Sequence, residues 1–294
     1  MTTAPVHLPQ HLPSPRGLGE TQRRDAWWSM PSAIAIGLVA FLVYGTWCAW
    51  QGQHYYFHGP AGQNYLSPFF SPLFYETQAA VASGKPSLHA WMSGARPEWW
   101  PAFLPFAPAV LILWAPAGFR FTCYGFRGHY YKGLWADPMS CAVGEPAFRG
   151  NKYRGEAKWP LLIQNSHRYF LYVIIVLLLV KFYDMYEMLW FFDDPAKPDL
   201  AHRNFGLGVG SLVLIAEPIL LALYVGGCHS LRHLVAGRKD VIGTGINRKR
   251  YDCVSCLNRK DMLWGWASLL WIMFADVYVR LCSMGVIPDL KLIG

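Results

Sequence analysis

The chain has 294 residues, of which 53% are hydrophobic and 15% charged, with a net charge of +8 and a mean hydropathy of +0.18. A charged share so far below the roughly 25% of an average soluble domain excludes a water-exposed globular class, because lipid must cover part of the surface. The basic balance does not call for nucleic acid, since membrane proteins concentrate Lys and Arg on their cytoplasmic side.

In chain order, residues 1–30 form a cytoplasmic arm rich in Pro, Gly and His, expected to be poorly ordered. It carries Arg16, Arg23 and Arg24 and shows no cleavable signal pattern before the first apolar run. A membrane domain follows over residues 31–284. A bilayer crossing takes about 20 apolar residues, and five segments meet that length: 32–50, 101–119, 159–182, 206–227 and 262–284. The second is interrupted by Pro101, Pro105, Pro108 and Pro116, which a span tolerates only where neighbours re-satisfy the freed backbone. Between the first two spans lies a long loop, 51–100, whose PFFSPLF stretch is expected to rest at the membrane interface. Residues 285–294 form a short tail.

Loop charge predicts orientation. The arm and the loops 119–159 and 231–260 hold 18 Lys and Arg, against 5 in the segments on the other side. The positive-inside rule then places the N-terminus in the cytoplasm and the C-terminus in the periplasm. The predicted fold is an all-α integral membrane protein, a five-helix bundle in a bacterial cytoplasmic membrane.

Seven cysteines lie at helix ends and in basic loops, which does not resemble a secreted disulfide framework. Cys123 and His129 follow the second span, Cys141 sits in the same loop, His167 opens the third span, and Cys228, His229 and His233 close the fourth. Topology read from Lys and Arg alone brings them all to one membrane face. His229 and His233 are four apart and share a helical face, as two ligands of one metal do. Mixed Cys and His donors suit zinc, or an iron–sulfur cluster of the Rieske kind. A buried Cys is equally a small packing residue, and the histidine pair can equally face headgroups. Cys48 and Cys282 read as packing residues. The Cys253-x-x-Cys256 pair reads as structural or free thiols.

Charged residues within spans are costly and point to function by default. Glu217 lies at mid-span, where it serves proton movement or bonds a neighbouring helix. Lys181, Asp184 and Glu187, and the Asp276–Arg280 pair, read as interhelical or interfacial contacts. Arg168 either binds an anionic or carbonyl group or snorkels to the interface.

The stretches FRFTCYGFRGHYYKGLW, DPMSCAVGEP, QNSHRYF and CHSLRHLVAGR resemble the membrane-anchor subunit of actinobacterial-type succinate dehydrogenase, respiratory complex II. The resemblance runs from the first span to the fifth. It implies five spans, no haem and a Rieske-type [2Fe–2S] cluster passing electrons from the soluble iron–sulfur subunit to a quinone, menaquinone or ubiquinone. It implies docking of the flavoprotein and iron–sulfur subunits on the basic face. On this reading Cys123 and Cys141 bind one iron and His229 and His233 the other, with Cys228 and His167 in reserve. Tyr124, Tyr130, His167 and Arg168 are the candidates to contact quinone. Two other readings stay open: a haem b anchor ligated by His167 and one of His229 or His233, and a zinc-binding membrane protein without electron transfer.

Overall fold

The structure is a computed structural model that describes residues 26–82, 89–92, 94, 96–104, 106–135, 158, 161–194, 202–236 and 244–294. Ten helices are described: α1 (Ser29–Gln51), α2 (Gln78–Ala82), α3 (Val110–Thr122), α4 (Tyr124–Leu134), α5 (Leu161–Gln164), α6 (His167–Glu187), α7 (Val209–Gly227), α8 (His229–Ala236), α9 (Ile246–Asn258) and α10 (Asp261–Ser283). Four helical stretches are long and apolar enough to cross a membrane: Ser29–Gln51, Leu161–Glu187, Val209–Gly227 and Asp261–Ser283.

The second expected span departs from the prediction. Its helix is Val110–Thr122, 13 residues, and residues 101–104 form turns instead. Proline has no N–H to donate and keeps the residue before it out of helical geometry, so the helix starts only after Pro108. At 1.5 Å per residue α3 reaches about 20 Å, short of the roughly 30 Å apolar slab.

α7 is the most enclosed helix and packs against α6, α9 and α10. α1 and α6 are apolar all round and leave Ile36, Val43, Val176 and Leu179 exposed, as lipid-facing helices do. Gly265 allows α10 to approach this core, because a Cβ there would press on the Phe126 and Tyr224 rings.

One end of the bundle is tied by short antiparallel pairs: β1 (Tyr56–His58) with β2 (Asn64–Leu66), β3 (Trp190–Phe192) with β4 (Arg203–Phe205), and β5 (Leu207–Gly208) with β6 (Lys291–Ile293). Gly62, at φ +83°, turns the first hairpin, and a side chain there would strike the Phe192 carbonyl. The loop expected at the membrane interface is drawn inward. Phe69, Phe70 and Leu73 are buried against Cys48, Ala49 and Ala109, because a hairpin and a turn at Pro68–Phe70 fold the segment over the helix ends.

Several charged groups within the helices are paired. Arg280 Nε donates to Asp276 Oδ2 at 2.6 Å, and the Cys48 thiol donates to the same carboxylate at 3.1 Å. Ser67 and Tyr44 also bond Asp276, joining α1, α10 and the long loop. Arg203 pairs with Glu187 at 2.6 Å, and Ser71 bonds Asp184. Glu217 meets Lys181 Nζ at 3.4 Å, an ion pair where the sequence left an interhelical hydrogen bond open. Cys282 is buried, as a packing residue should be.

Candidate redox site at the basic end

Cys123 and Cys228 occupy equivalent places. α3 stops at Thr122, Cys123 adopts φ −63° and ψ 131°, and α4 begins at once. α7 stops at Gly227, Cys228 adopts φ −61° and ψ 131°, and α8 begins at once. Each cysteine therefore stands at the N-cap of the following helix. The backbones of Gly125 and Phe126 hold back the upward shift of the Cys123 thiol, and those of Ser230 and Leu231 that of Cys228, with no capping hydrogen bond from the Cys123 side chain. A helix N-terminus favours negative charge, so both positions suit a thiolate.

Both sulfurs are buried in one cluster with Phe119, Phe126 and Tyr224. Burial pushes the Cys228 thiol up to about 11 and raises that of Cys123 as well. Without a bound cation both groups hold their protons at neutral pH. Asp261, whose Oδ1 is buried without a hydrogen-bond partner among the described residues, adds to the upward push on both. The Tyr224 hydroxyl lies fully buried beside the Cys123 thiol.

His167 joins this group through a break in the third apolar segment, where α5 ends and α6 starts afresh. Its Nε2 lies 3.2 Å from the Cys228 sulfur and its Nδ1 3.0 Å from Thr122 Oγ1. Its ring stacks on Phe119 at 4.5 Å between centroids. His229 and His233 are on the exposed face of α8, with Nε2 atoms 3.1 Å apart. Partial burial, His233 and Arg232 all lower the His229 pKa, which keeps its nitrogen lone pair available. Cys141, the expected partner of Cys123, lies outside the described residues.

A cavity of about 400 Å³ opens beside this group, lined by Gln164, His167, Arg168, Tyr172, Ser230 and His233 among others. Two expected quinone contacts are not part of it. Tyr124 projects outward, 77% exposed, under the Arg127 guanidinium. Tyr130 is buried, donates to the Phe121 carbonyl and accepts from Gln164 Nε2. Both follow from α4 folding back as its own helix after Cys123, which turns Tyr124 away from the core and Tyr130 towards Phe121. His129 accepts from Trp266 Nε1 at 2.8 Å and so belongs to the packing of α4 on α10.

Sequence reasoning missed Tyr224 and Arg120, which both lie beside the site. Arg120 stacks over the Tyr224 ring at 4.9 Å and donates to the Gly265 carbonyl and Ser268 Oγ. Tyr224 reads as an interfacial aromatic and Arg120 as one more positive-inside charge. Thr122 was within reach of prediction, since it precedes Cys123 directly.

Donor chemistry bears on which metal group fits. Among the described residues no three His, Cys, Asp or Glu side chains converge as a single ion requires. A [2Fe–2S] cluster asks for only two donors per iron. Cys123, Cys228 and His167 are three such donors, and the exposed His229/His233 pair lies on the helix that Cys228 opens.

Taken together, the chain is a helical membrane protein whose polar chemistry gathers at one end of the bundle. Residues 29–285 match the family model described as actinobacterial succinate dehydrogenase subunit SdhC, and the chain belongs to that family of membrane-anchor subunits of succinate dehydrogenase. It is also similar to a chain of the Mycobacterium smegmatis Sdh1 complex in the apo form, at 34% identity and a TM-score of 0.75, covering 99% of this chain and 100% of that one. No curated protein matches it.

Proposed function

We propose that this subunit relays electrons from a soluble iron–sulfur partner to a quinone through a Rieske-type [2Fe–2S] cluster held at the basic end of the bundle. The observation that carries the reading is the pair of buried N-cap cysteines, Cys123 and Cys228, with His167 on the second. These two supply the thiolates, and helix N-termini stabilise their charge once metal replaces the protons. His167 and one histidine of the His229/His233 pair supply the two imidazoles. The Tyr224 hydroxyl, buried beside Cys123, would be a hydrogen-bond donor to such a cluster, and hydrogen bonds of that kind tune the reduction potential. Once bound, the cluster supplies one-electron transfer. The chain's own residues orient it and keep water away.

The quinone sits in the neighbouring 400 Å³ cavity, where Arg168 donates to a carbonyl oxygen and His167 lines the wall facing the cysteines. The basic end faces the cytoplasm, with five crossings and the C-terminus in the periplasm, as the loop charges predict. There α9, with Arg248, Lys249 and Arg250, offers the flavoprotein and iron–sulfur subunits a positive surface.

The test is a set of alanine variants in the assembled complex. Cys228→Ala and His167→Ala should abolish the Rieske-like EPR signal and succinate:quinone reduction, while succinate oxidation by a soluble acceptor persists. The His229→Ala/His233→Ala double variant should lose the same signal. Cys256→Ala should change neither. Intact quinone reduction in Cys228→Ala would refute the relay. A Soret band with a split α-band would replace it with haem.

A further inference from the structure

Ionisable residues run along α6 inward from the hairpin end. Glu187, Asp184 and Lys181 stand three residues apart, so each is the next one's neighbour on the helix surface. Glu187 is at the mouth, partly exposed and held by Arg203 at 2.6 Å. Asp184 accepts from the Ser71 hydroxyl and feels the charges of both Lys181 and Glu187. Lys181 Nζ donates to the Pro68 carbonyl at 2.9 Å and stands 3.4 Å from Glu217 Oε2. Glu217 lies about 12 Å along α7 from its first residue at 1.5 Å per residue, and feels Lys181, Arg120 and Asp184.

A cavity of about 30 Å³ joins these groups, with Ser71, His89, Lys181, Asp184 and Glu217 in its wall. A water needs only about 10–15 Å³ and a few polar partners, and both are present. His89 closes the cavity on the loop side, its Nε2 2.8 Å from Asn64 Oδ1, within the fields of Glu187 and Arg203. A larger chamber, of about 370 Å³, shares Ser71, Lys181 and Glu217 with the first and extends to Arg120. Arg120 stacks on Tyr224 beside Cys123. The two cavities therefore lead from the hairpin end towards the redox end.

Charge counting gives the cluster a use. Lys181 balances one of the two carboxylates. The other is balanced by a proton or by Arg120, which is itself tied to the Gly265 carbonyl and Ser268 Oγ. A carboxylate pair with these alternatives takes up and releases a proton without leaving an uncompensated charge in the apolar layer. A buried ion cluster adds little stability over apolar residues of the same volume, and ionisable residues inside spans mark ion and proton pathways.

We propose that Glu187, Asp184 and Glu217, bridged by water in the smaller cavity, form a proton path from the hairpin end to the middle of the bundle, and that the protons consumed in quinone reduction enter through it. The inference rests on the reading of the subunit as a quinone reductase. Oxidation of succinate to fumarate releases a pair of electrons and a pair of protons at the soluble subunits. The quinone gains that electron pair from the basic end and a pair of protons from the hairpin end, and becomes quinol. Each turnover thereby moves charge across the bilayer.

The experiment uses the whole complex in proteoliposomes with a pH-sensitive dye trapped in the lumen. Succinate does not cross the bilayer, so it drives only complexes whose soluble subunits face outward and whose hairpin end faces the lumen. Succinate with a short-chain quinone should make the lumen alkaline, with valinomycin and potassium carrying the compensating charge, and a protonophore should abolish the signal. Glu217→Gln and Asp184→Asn should each lose the alkalinisation, and Glu217→Asp, which restores a carboxylate, should keep part of it. Succinate oxidation by a soluble acceptor and an unchanged Rieske-like EPR signal check assembly of each variant, and Asp184→Asn serves if Glu217→Gln does not assemble. Quinone reduction by the parent complex without lumenal alkalinisation, or alkalinisation that persists in the carboxylate-to-amide variants, overturns the path and leaves the functional reading standing. A parent complex that oxidises succinate with a soluble acceptor but reduces no quinone overturns the functional reading, and the path with it.

Discussion

Cys123 and Cys228 are enclosed at helix caps, whereas Cys253 and Cys256 are exposed on α9, and burial decides their reactivity. The thiolate is the nucleophile, and the first two are enclosed and hold their protons. In metal-stripped protein at pH 8, iodoacetamide should modify Cys253 and Cys256, both exposed on α9, and spare Cys123 and Cys228. Peptide mass spectrometry after a short pulse checks it, and fast labelling of Cys228 would contradict the enclosed site. Arg168 lines the 400 Å³ cavity proposed for quinone and lies over the Tyr169 ring. Arg168→Ala should raise the apparent KM for quinone roughly tenfold, about the 1.4 kcal/mol of a charge-assisted hydrogen bond. The EPR signal should be unchanged.

At the scale of elements, the long loop is held to the helices by one buried carboxylate. Asp276 gathers Arg280, Cys48, Tyr44 and Ser67 with no exposure of its own. Arg280→Leu would leave that charge unpaired, which typically costs about 3–5 kcal/mol. The expected result is a markedly lower Tm in detergent, with partial recovery in Arg280→Leu/Asp276→Asn, where no charge remains. His89 ties the same loop internally, through Asn64 Oδ1 at 2.8 Å and the edge of Tyr56. Burial lowers its pKa to about 4, opposed by Glu187 and aided by Arg203. The unfolded chain takes up a proton near pH 6.5 that the folded loop refuses, so stability falls as pH drops from about 6.5 to 4. Thermal melts across that range should show a shallower fall for His89→Gln than for the parent.

For the whole molecule the chief expectation is topology. The basic arm and loops against the sparse charge of the hairpin end predict that a periplasm-active phosphatase fused after Gly294 is active and a cytoplasm-active reporter is silent. The reverse pattern would reverse the orientation or change the number of crossings. α3 is the element on which that number turns, because it is too short to span the slab unaided. The bundle meets this by stacking turns and the folded loop 51–82 over its hairpin end, where Ala107 and Ala109 are buried.

The sequence by itself determined the membrane class, four of the helical crossings and the gathering of Cys and His at one end. Each depends on local quantities: run length, Lys and Arg counts, and residue type at a helix end. Cys48 and Cys282 as packing residues, and the Asp276–Arg280 pair, were legible for the same reason. Only tertiary structure decided the rest. That Cys228 and His167 meet depends on two helix breaks, at 165–166 and at Cys228, which a hydropathy window passes over because long apolar runs lie next to them. That Lys181 pairs with Glu217 depends on the rotation of α6 against α7. That Phe69 and Phe70 lie inside depends on the loop closing over α1 and α10. Composition reports how much apolar surface a chain carries. Which side chains share a cavity is fixed by helix packing, and a one-residue shift turns a helical side chain by about 100°.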